Sequence, residues 1–193
     1  MGALIVLVHV ALGLNLFAPA SLLPLVIDDG FTRTIAGLLV AGTVLIQALV
    51  GLPGGTLARR VGAHRTVTIG SVLVGSGALS LVFDGFGAIL FSRLLVGIGA
   101  ALVITATGPL IMSWFPSRQT PLMNTMFLVA LSSGISIGVL GAAPIASSIG
   151  WRPTLGVFGI VALFAAGVWA GVGARCGLRP RPSERTPIAV VER

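Results

Sequence analysis

The apolar residues of this chain come in long blocks separated by short polar breaks. An apolar run of about 20 residues is long enough to cross the hydrocarbon core of a bilayer as a helix. The breaks divide the chain into six such spans, at about residues 3–27, 34–53, 66–83, 87–113, 122–145 and 154–174. Asp28-Asp29-Gly30 with Arg33 makes the first break, and residues 54–65 make the second. Asp84-Gly85, Trp114-Phe115-Pro116-Ser117-Arg118-Gln119 and Gly150-Trp151-Arg152-Pro153 make the others. Pro19 and Pro24 fall in the second half of the first span. Lipid tolerates them where neighbours satisfy the carbonyls they free. From Arg175 the sequence turns polar and proline-rich, which predicts a flexible tail over 175–193. The expected fold is an all-α membrane protein with one six-helix bundle over residues 1–174.

Composition narrows the class. Of the 193 residues, 55% are hydrophobic and only 9% charged. Soluble domains carry about 25% charged residues, so this chain could not cover a water-facing surface. The net charge of +7 does not point to nucleic acid. The arginines sit in the breaks and the tail, and no basic patch is interleaved with aromatics. The one cysteine, Cys176, allows no intrachain disulfide and leaves the redox compartment unread. Ala18-Pro19-Ala20 has a trace of a signal cleavage site. Against cleavage, no basic residue precedes the first span, and its apolar stretch continues to Ile27.

Arginine placement gives an orientation. Arg59, Arg60, Arg65, Arg118, Arg175, Arg179, Arg181, Arg185 and Arg193 belong to alternate breaks and the tail. The opposite breaks hold only Arg33 and Arg152. Nine against two predicts that the 2–3 and 4–5 breaks and both termini are cytoplasmic, in a plasma (inner) membrane. The halves also echo each other. Val61-Gly62-Ala63-His64-Arg65-Thr66 has a counterpart in Ile149-Gly150-Trp151-Arg152-Pro153-Thr154, and Pro19 in Pro109. Two halves of three helices each must be inverted, which is a recurring plan of secondary transporters.

The break Gly55-Thr56-Leu57-Ala58-Arg59-Arg60-Val61-Gly62-Ala63-His64-Arg65 resembles the helix 2–3 signature of the major facilitator superfamily, Gly-x-Leu-Ala-Asp-Arg-x-Gly-Arg-Arg/Lys. Gly55, Leu57, Ala58, Arg60, Gly62 and Arg65 match in place. Arg59 stands where the family usually has an aspartate that locks the cytoplasmic gate, so that lock is not expected here. Cyanate-type anion carriers often relax this position. Arg93-Leu94-Leu95-Val96-Gly97-Ile98-Gly99-Ala100-Ala101 resembles the family's helix 4 pattern, Arg-x-x-x-Gly-x-Gly-Ala-Ala. The Trp114-Phe115-Pro116 and Gly150-Trp151-Arg152 breaks also resemble the family's loops, and anchoring at the membrane interface explains them equally. The antiporter pattern of helix 5 is absent. The resemblance implies the N-terminal six-helix half of a secondary transporter, with helices 1, 2, 4 and 5 lining the pathway and 3 and 6 outside. Such a half needs a second half or a homodimer to transport. A truncated fragment, or a partner modulating a full-length carrier, is the alternative.

Several residues are candidates for chemistry. A charge inside a span costs at least about 2.5 kcal/mol unless it finds water or a partner. Arg93 either reaches the outer interface or serves substrate and coupling; it would suit an anionic or polar small solute. His9, Asn15 and Gln47 are further cavity candidates. Gly97, Gly99, Ala101, Gly134 and Gly138 allow close helix packing. Serines and threonines in spans mostly bond their own backbone. Gly134-Ile135-Ser136-Ile137-Gly138 matches a hydrolase elbow. It lies in an apolar helix, and no acidic residue falls within a span to activate the serine. A rhomboid-like serine is excluded because both histidines precede Ser76. No enzyme, metal site or cofactor is expected. Coupling, if present, would draw on a proton or ion gradient.

Overall fold

The computed structural model describes residues 1–83 and 85–175, the side chains of 174 and 175 excepted. Asp84 and residues 176–193, with Cys176 and the last four arginines, lie outside the described residues, while Arg175, expected to open the tail, closes the last helix. The described chain is all-helical: α1 (Gly2–Asp28), α2 (Arg33–Val61), α3 (Ala63–Val74), α4 (Phe86–Trp114), α5 (Thr120–Ile149) and α6 (Trp151–Arg175). A 3-10 segment, Gly75–Leu81, continues α3. Five of the α-helices are long and apolar enough to cross a membrane.

The third helix is built differently. Its α-helical part has 12 residues and its 3-10 part seven. At 1.5 and 2.0 Å per residue they reach about 32 Å together, enough for the hydrocarbon core. Glycines allow the 3-10 part to lie tightly against α6. A Cβ on Gly159 would strike the backbone of Ala78, and one on Gly75 would strike Leu163.

The breaks are shorter than the polar pattern implies. α2 runs on through Pro53 to Val61. Gly54 lies against α4, where a Cβ would stand 3.0 Å from Thr105 Oγ1. The α2–α3 and α5–α6 turns then rest on single residues, Gly62 at φ 99° and Gly150 at φ 89°. Side-chain-bearing residues avoid that region, so glycine is what lets helices reverse in so little chain. Arg59 and Arg60 occupy the last turn of α2, where a cation is favoured by the helix dipole.

α1 and α4 form the middle of the bundle. α1 packs on α5 and α6, and α4 packs on α2 and α3. The α1–α5 seam is backbone on backbone: a Cβ on Gly13 would strike Gly134, and Cβ atoms on Gly134 and Gly138 would strike Val10 and Leu14. In α4, Gly97 meets Thr43 of α2 and Gly99 meets Gly70 of α3. Ala101 is buried beside them. Such approach maximises dispersion contact where lipid removes the hydrophobic drive between helices.

Candidate functional site

The first polar centre begins with a proline. Pro19 has no N–H, so the carbonyl of Asn15, four residues earlier in α1, loses its helical donor. Arg93 of α4 fills the gap: its Nη2 donates to Asn15 O and lies 3.5 Å from Leu16 O. The Asn15 side chain faces outward to α6, donating to Phe158 O at 2.8 Å and to Ala11 O at 3.0 Å. Thr43 of α2 donates to Leu39 O at 2.8 Å and reaches the Arg93 carbonyl at 3.3 Å. Four helices thus meet at one kink. Arg93 and Asn15 are each 1% exposed. A snorkelling Arg93 is therefore not what the structure holds. The guanidinium Nε and Nη1 and Asn15 Oδ1 make no hydrogen bond among the described residues.

His9 is the second centre. Its Nδ1 lies 2.7 Å from Ile5 O and its Nε2 3.1 Å from Thr107 Oγ1, while Thr107 also reaches Val103 O at 2.7 Å. The ring leans on Phe127 of α5 with centroids 5.0 Å apart. These three contacts need three hydrogens. A neutral imidazole and one hydroxyl supply two, and an imidazolium and the hydroxyl supply three. His9 therefore ties α1 to α4 and α5 in either state, with the Thr107 hydroxyl turning between two acceptors when the ring is neutral.

The two ends of the bundle differ. At one, Trp151 donates to Asp29 at 2.6 Å, and Arg152 stands 3.9 Å from the same carboxylate. Arg152 also lies over the Trp151 ring, 5.1 Å from its centroid. The first break and the start of α6 are clasped there. At the other end His64 stacks on Trp169 at 5.3 Å and lies 6.2 Å from Trp114. Arg59, Arg60, Arg65 and Arg118 are exposed there.

Gln47 is half-buried in α2, one helical turn after Thr43. Ser132, Ser133 and Ser136 are exposed on α5 and line an open groove of about 610 Å³ with Leu128 and Ile137. A small, mostly apolar void of about 10 Å³ lies between Val8, Ser71, Val103 and Ala162, and Arg93 does not line it. Among the described residues no cluster of His, Cys, Asp or Glu could hold a metal.

These features match a known group of proteins. The sequence profile of the Major Facilitator Superfamily matches residues 5–192. The chain belongs to this superfamily. It is 30% identical to the cyanate transport protein CynX of Escherichia coli (strain K12), over 96% of this chain and 50% of that protein. It is 24% identical to the uncharacterized protein Cj0987c of Campylobacter jejuni, over 86% of this chain and 52% of that protein. Against the quinolone resistance protein NorA of Staphylococcus aureus the identity is 32%, over 66% of this chain and 33% of that protein. The chain thus spans about half the length of the curated relatives it matches, or less. The solved structure of the proton:xylose symporter XylE superposes with a TM-score of 0.76 at 17% identity, covering 88% of this chain and 43% of that one. The peptide transporter POT gives 0.78 at 15%, covering 90% and 38%. These likenesses establish the fold, and the chain is a multi-pass membrane protein of a transporter superfamily.

Within a superfamily bundle the sequence candidates separate. Arg93 and Asn15 come together at the α1 kink, and His9 sits apart beside Thr107. The helix 2–3 signature forms the end of α2 and its glycine turn, with Ala58 buried and Arg59, Arg60 and Arg65 exposed. Thr43 and Gly13 escaped the sequence reading, which set Thr107 aside among the threonines that bond their own backbone. The threonines do bond their own helices, as expected of threonine in lipid, but each also reaches a second helix. Gly13 could have been found through its pairing with Gly134; nothing in its own neighbourhood marks it.

Proposed function

We propose that this bundle is one six-helix half of a secondary transporter for a small polar solute, working by alternating access. A second six-helix half completes it, on the same polypeptide, a separate one or a second copy. One observation carries the reading. α5 leaves Thr125, Ser132, Ser133 and Ser136 exposed along one face of a helix read as crossing hydrocarbon. Thr125 and Ser136 bond the Pro121 and Ser132 carbonyls of their own helix, but lipid tails offer these hydroxyls no further partner, so four of them on one face suit a water-lined pathway or a facing helix. The inverted-repeat plan is supported by the packing. Exchanging α1 with α4, α2 with α5 and α3 with α6 carries the α1–α5 contact onto α2–α4, and α1–α6 onto α3–α4. Substrate binds between two such halves near the midplane in this plan.

No acidic residue lies within a span, so this half offers no carboxylate to a cationic solute. Arg93, the one arginine within a span, is the group of this half suited to an anionic solute. The orientation that places the arginine-rich end in the cytoplasm follows the positive-inside bias. The test is uptake into proteoliposomes by this chain alone and by this chain with a C-terminal six-helix half of a relative. Uptake only with the second half is expected. Uptake by a monomer would overturn the half-transporter reading, and no uptake with any second half would favour a non-transporting fragment or modulatory partner.

A further inference from the structure

We propose that the groove between α3 and α6 at the arginine-rich end binds one anionic phospholipid. The groove measures about 600 Å³ and is lined by Arg65, Thr68 and Ile69 on one wall and by Ala170 and Gly173 on the other, with His64 between. Its two walls have the build of the ligand. On α3, Arg65, Thr68, Ile69 and Val72 follow at helical spacing on one face, so the wall grades from a cation through a hydroxyl to apolar surface. Arg65 is exposed, Ile69 is 44% exposed and Val72 51%. The α6 wall is low because its residues are small. A Cβ on Gly173 would strike His64, so the imidazole occupies the space a larger residue would need. His64, backed by the stacked Trp169, closes the floor, and Trp114 stands beside them, the kind of residue that marks a headgroup boundary.

Charge selects the headgroup. Arg65 has no carboxylate partner among the described residues, and the described ion pair, Asp29 with Arg152, lies at the opposite end. Arg59, Arg60 and Arg118 are exposed at the same end as Arg65. A phosphodiester with net negative charge meets a field with no competing anion among the described residues at that end, and its acyl chain can lie along Ile69 and Val72. A zwitterionic lipid brings its own cation into that field. Basic pockets between membrane helices are a recurring form of lipid headgroup site. This inference does not rest on transport, and its failure would leave the transport proposal standing.

The experiment is native mass spectrometry of the full chain in neutral detergent, with melting measured in parallel, on titration of phosphatidylglycerol, phosphatidylcholine or inorganic phosphate. Phosphatidylglycerol is expected to form one tight adduct and raise the melting temperature, with phosphatidylcholine and phosphate doing neither. Arg65→Gln should weaken the adduct about fivefold, the contribution of one arginine near a charged headgroup. Ala170→Phe, which keeps every charge and fills the groove, should weaken it as much. Arg118→Gln should leave it nearly unchanged. Ile69→Glu provides a second reading if Ala170→Phe does not fold, since a carboxylate on that wall repels the headgroup. Equal losses with Arg65→Gln and Arg118→Gln would mean diffuse attraction and overturn the site. So would an adduct as tight with phosphatidylcholine, or stabilisation by phosphate alone.

Discussion

α1 and α4 are no more apolar than α2 and α5, yet they occupy different places. The most apolar windows have mean hydropathies of 2.1 and 2.2 in the first pair and 2.3 and 2.0 in the second. Over those windows 56% of residues are buried in α1 and in α4, against 17% in α2 and 22% in α5. In lipid, hydropathy decides which segments cross and is silent on which lie in the middle. Partners for polar groups and room for close approach decide that. α1 and α4 hold His9, Asn15, Arg93 and Thr107, all buried, and both face neighbours through glycine. α2 turns Leu45, Leu49 and Leu52 outward, and α5 turns out its serines.

The largest break in this contrast should come from the seam that joins the two kinds of helix. Gly134→Leu drives a side chain into the backbone of α1 and is expected to cost about 3 kcal/mol or more in thermal unfolding in detergent. Gly141→Leu on the same helix, where a Cβ would meet nothing within 4 Å, should change stability by less than about 0.5 kcal/mol. Similar losses at both positions would remove the α1–α5 seam as the cause.

Arg93→Met should cost about 2 kcal/mol by leaving the Asn15 carbonyl buried without a donor. Pro19→Ala restores the N–H that closes onto this carbonyl. In that background the loss should shrink by about 1 kcal/mol, read as the coupling in a double-mutant cycle. Strict additivity would mean that the guanidinium does not cap the kink. Thr107→Val should cost about 1 kcal/mol by removing the His9 contact between central helices. Thr125→Val, on the open face of α5, should be close to neutral in the same melting assay.

The smallest stability effect is expected where α5 is open. Replacing Ser132, Ser133 and Ser136 together by Ala should change stability by less than about 0.5 kcal/mol. Uptake by a completed transporter should fall several-fold if this face borders the pathway. Unchanged uptake would return the serines to the role of helix surface.

Much of this fold was readable from the residue pattern. Six helices and the packing glycines follow from local rules that lipid enforces strictly, and Gly62 and Gly150 fall in two of the expected breaks. The end of α2 was misjudged because Gly54, Arg59 and Arg60 look like a loop by polarity. They form helix, with Gly54 docked on α4 and the arginines at the helix terminus. The short third crossing was hidden because the 3-10 winding depends on contact with α6. The kink was half legible: Pro19 marks Asn15 as a free carbonyl by counting back four residues, but only the fold brings Arg93 across to it. The pairing of His9 with Thr107 is a tertiary distance that neither residue announces.

The stretched third crossing has a consequence for the membrane itself. Neighbouring helices of 25 to 30 residues can tilt to suit bilayers of different depth. The segment from Ala63 to Leu81 already reaches its width with few residues and is pinned to α6 along its 3-10 part. It has no spare length. A bilayer thicker than this segment is therefore expected to thin around this one wall.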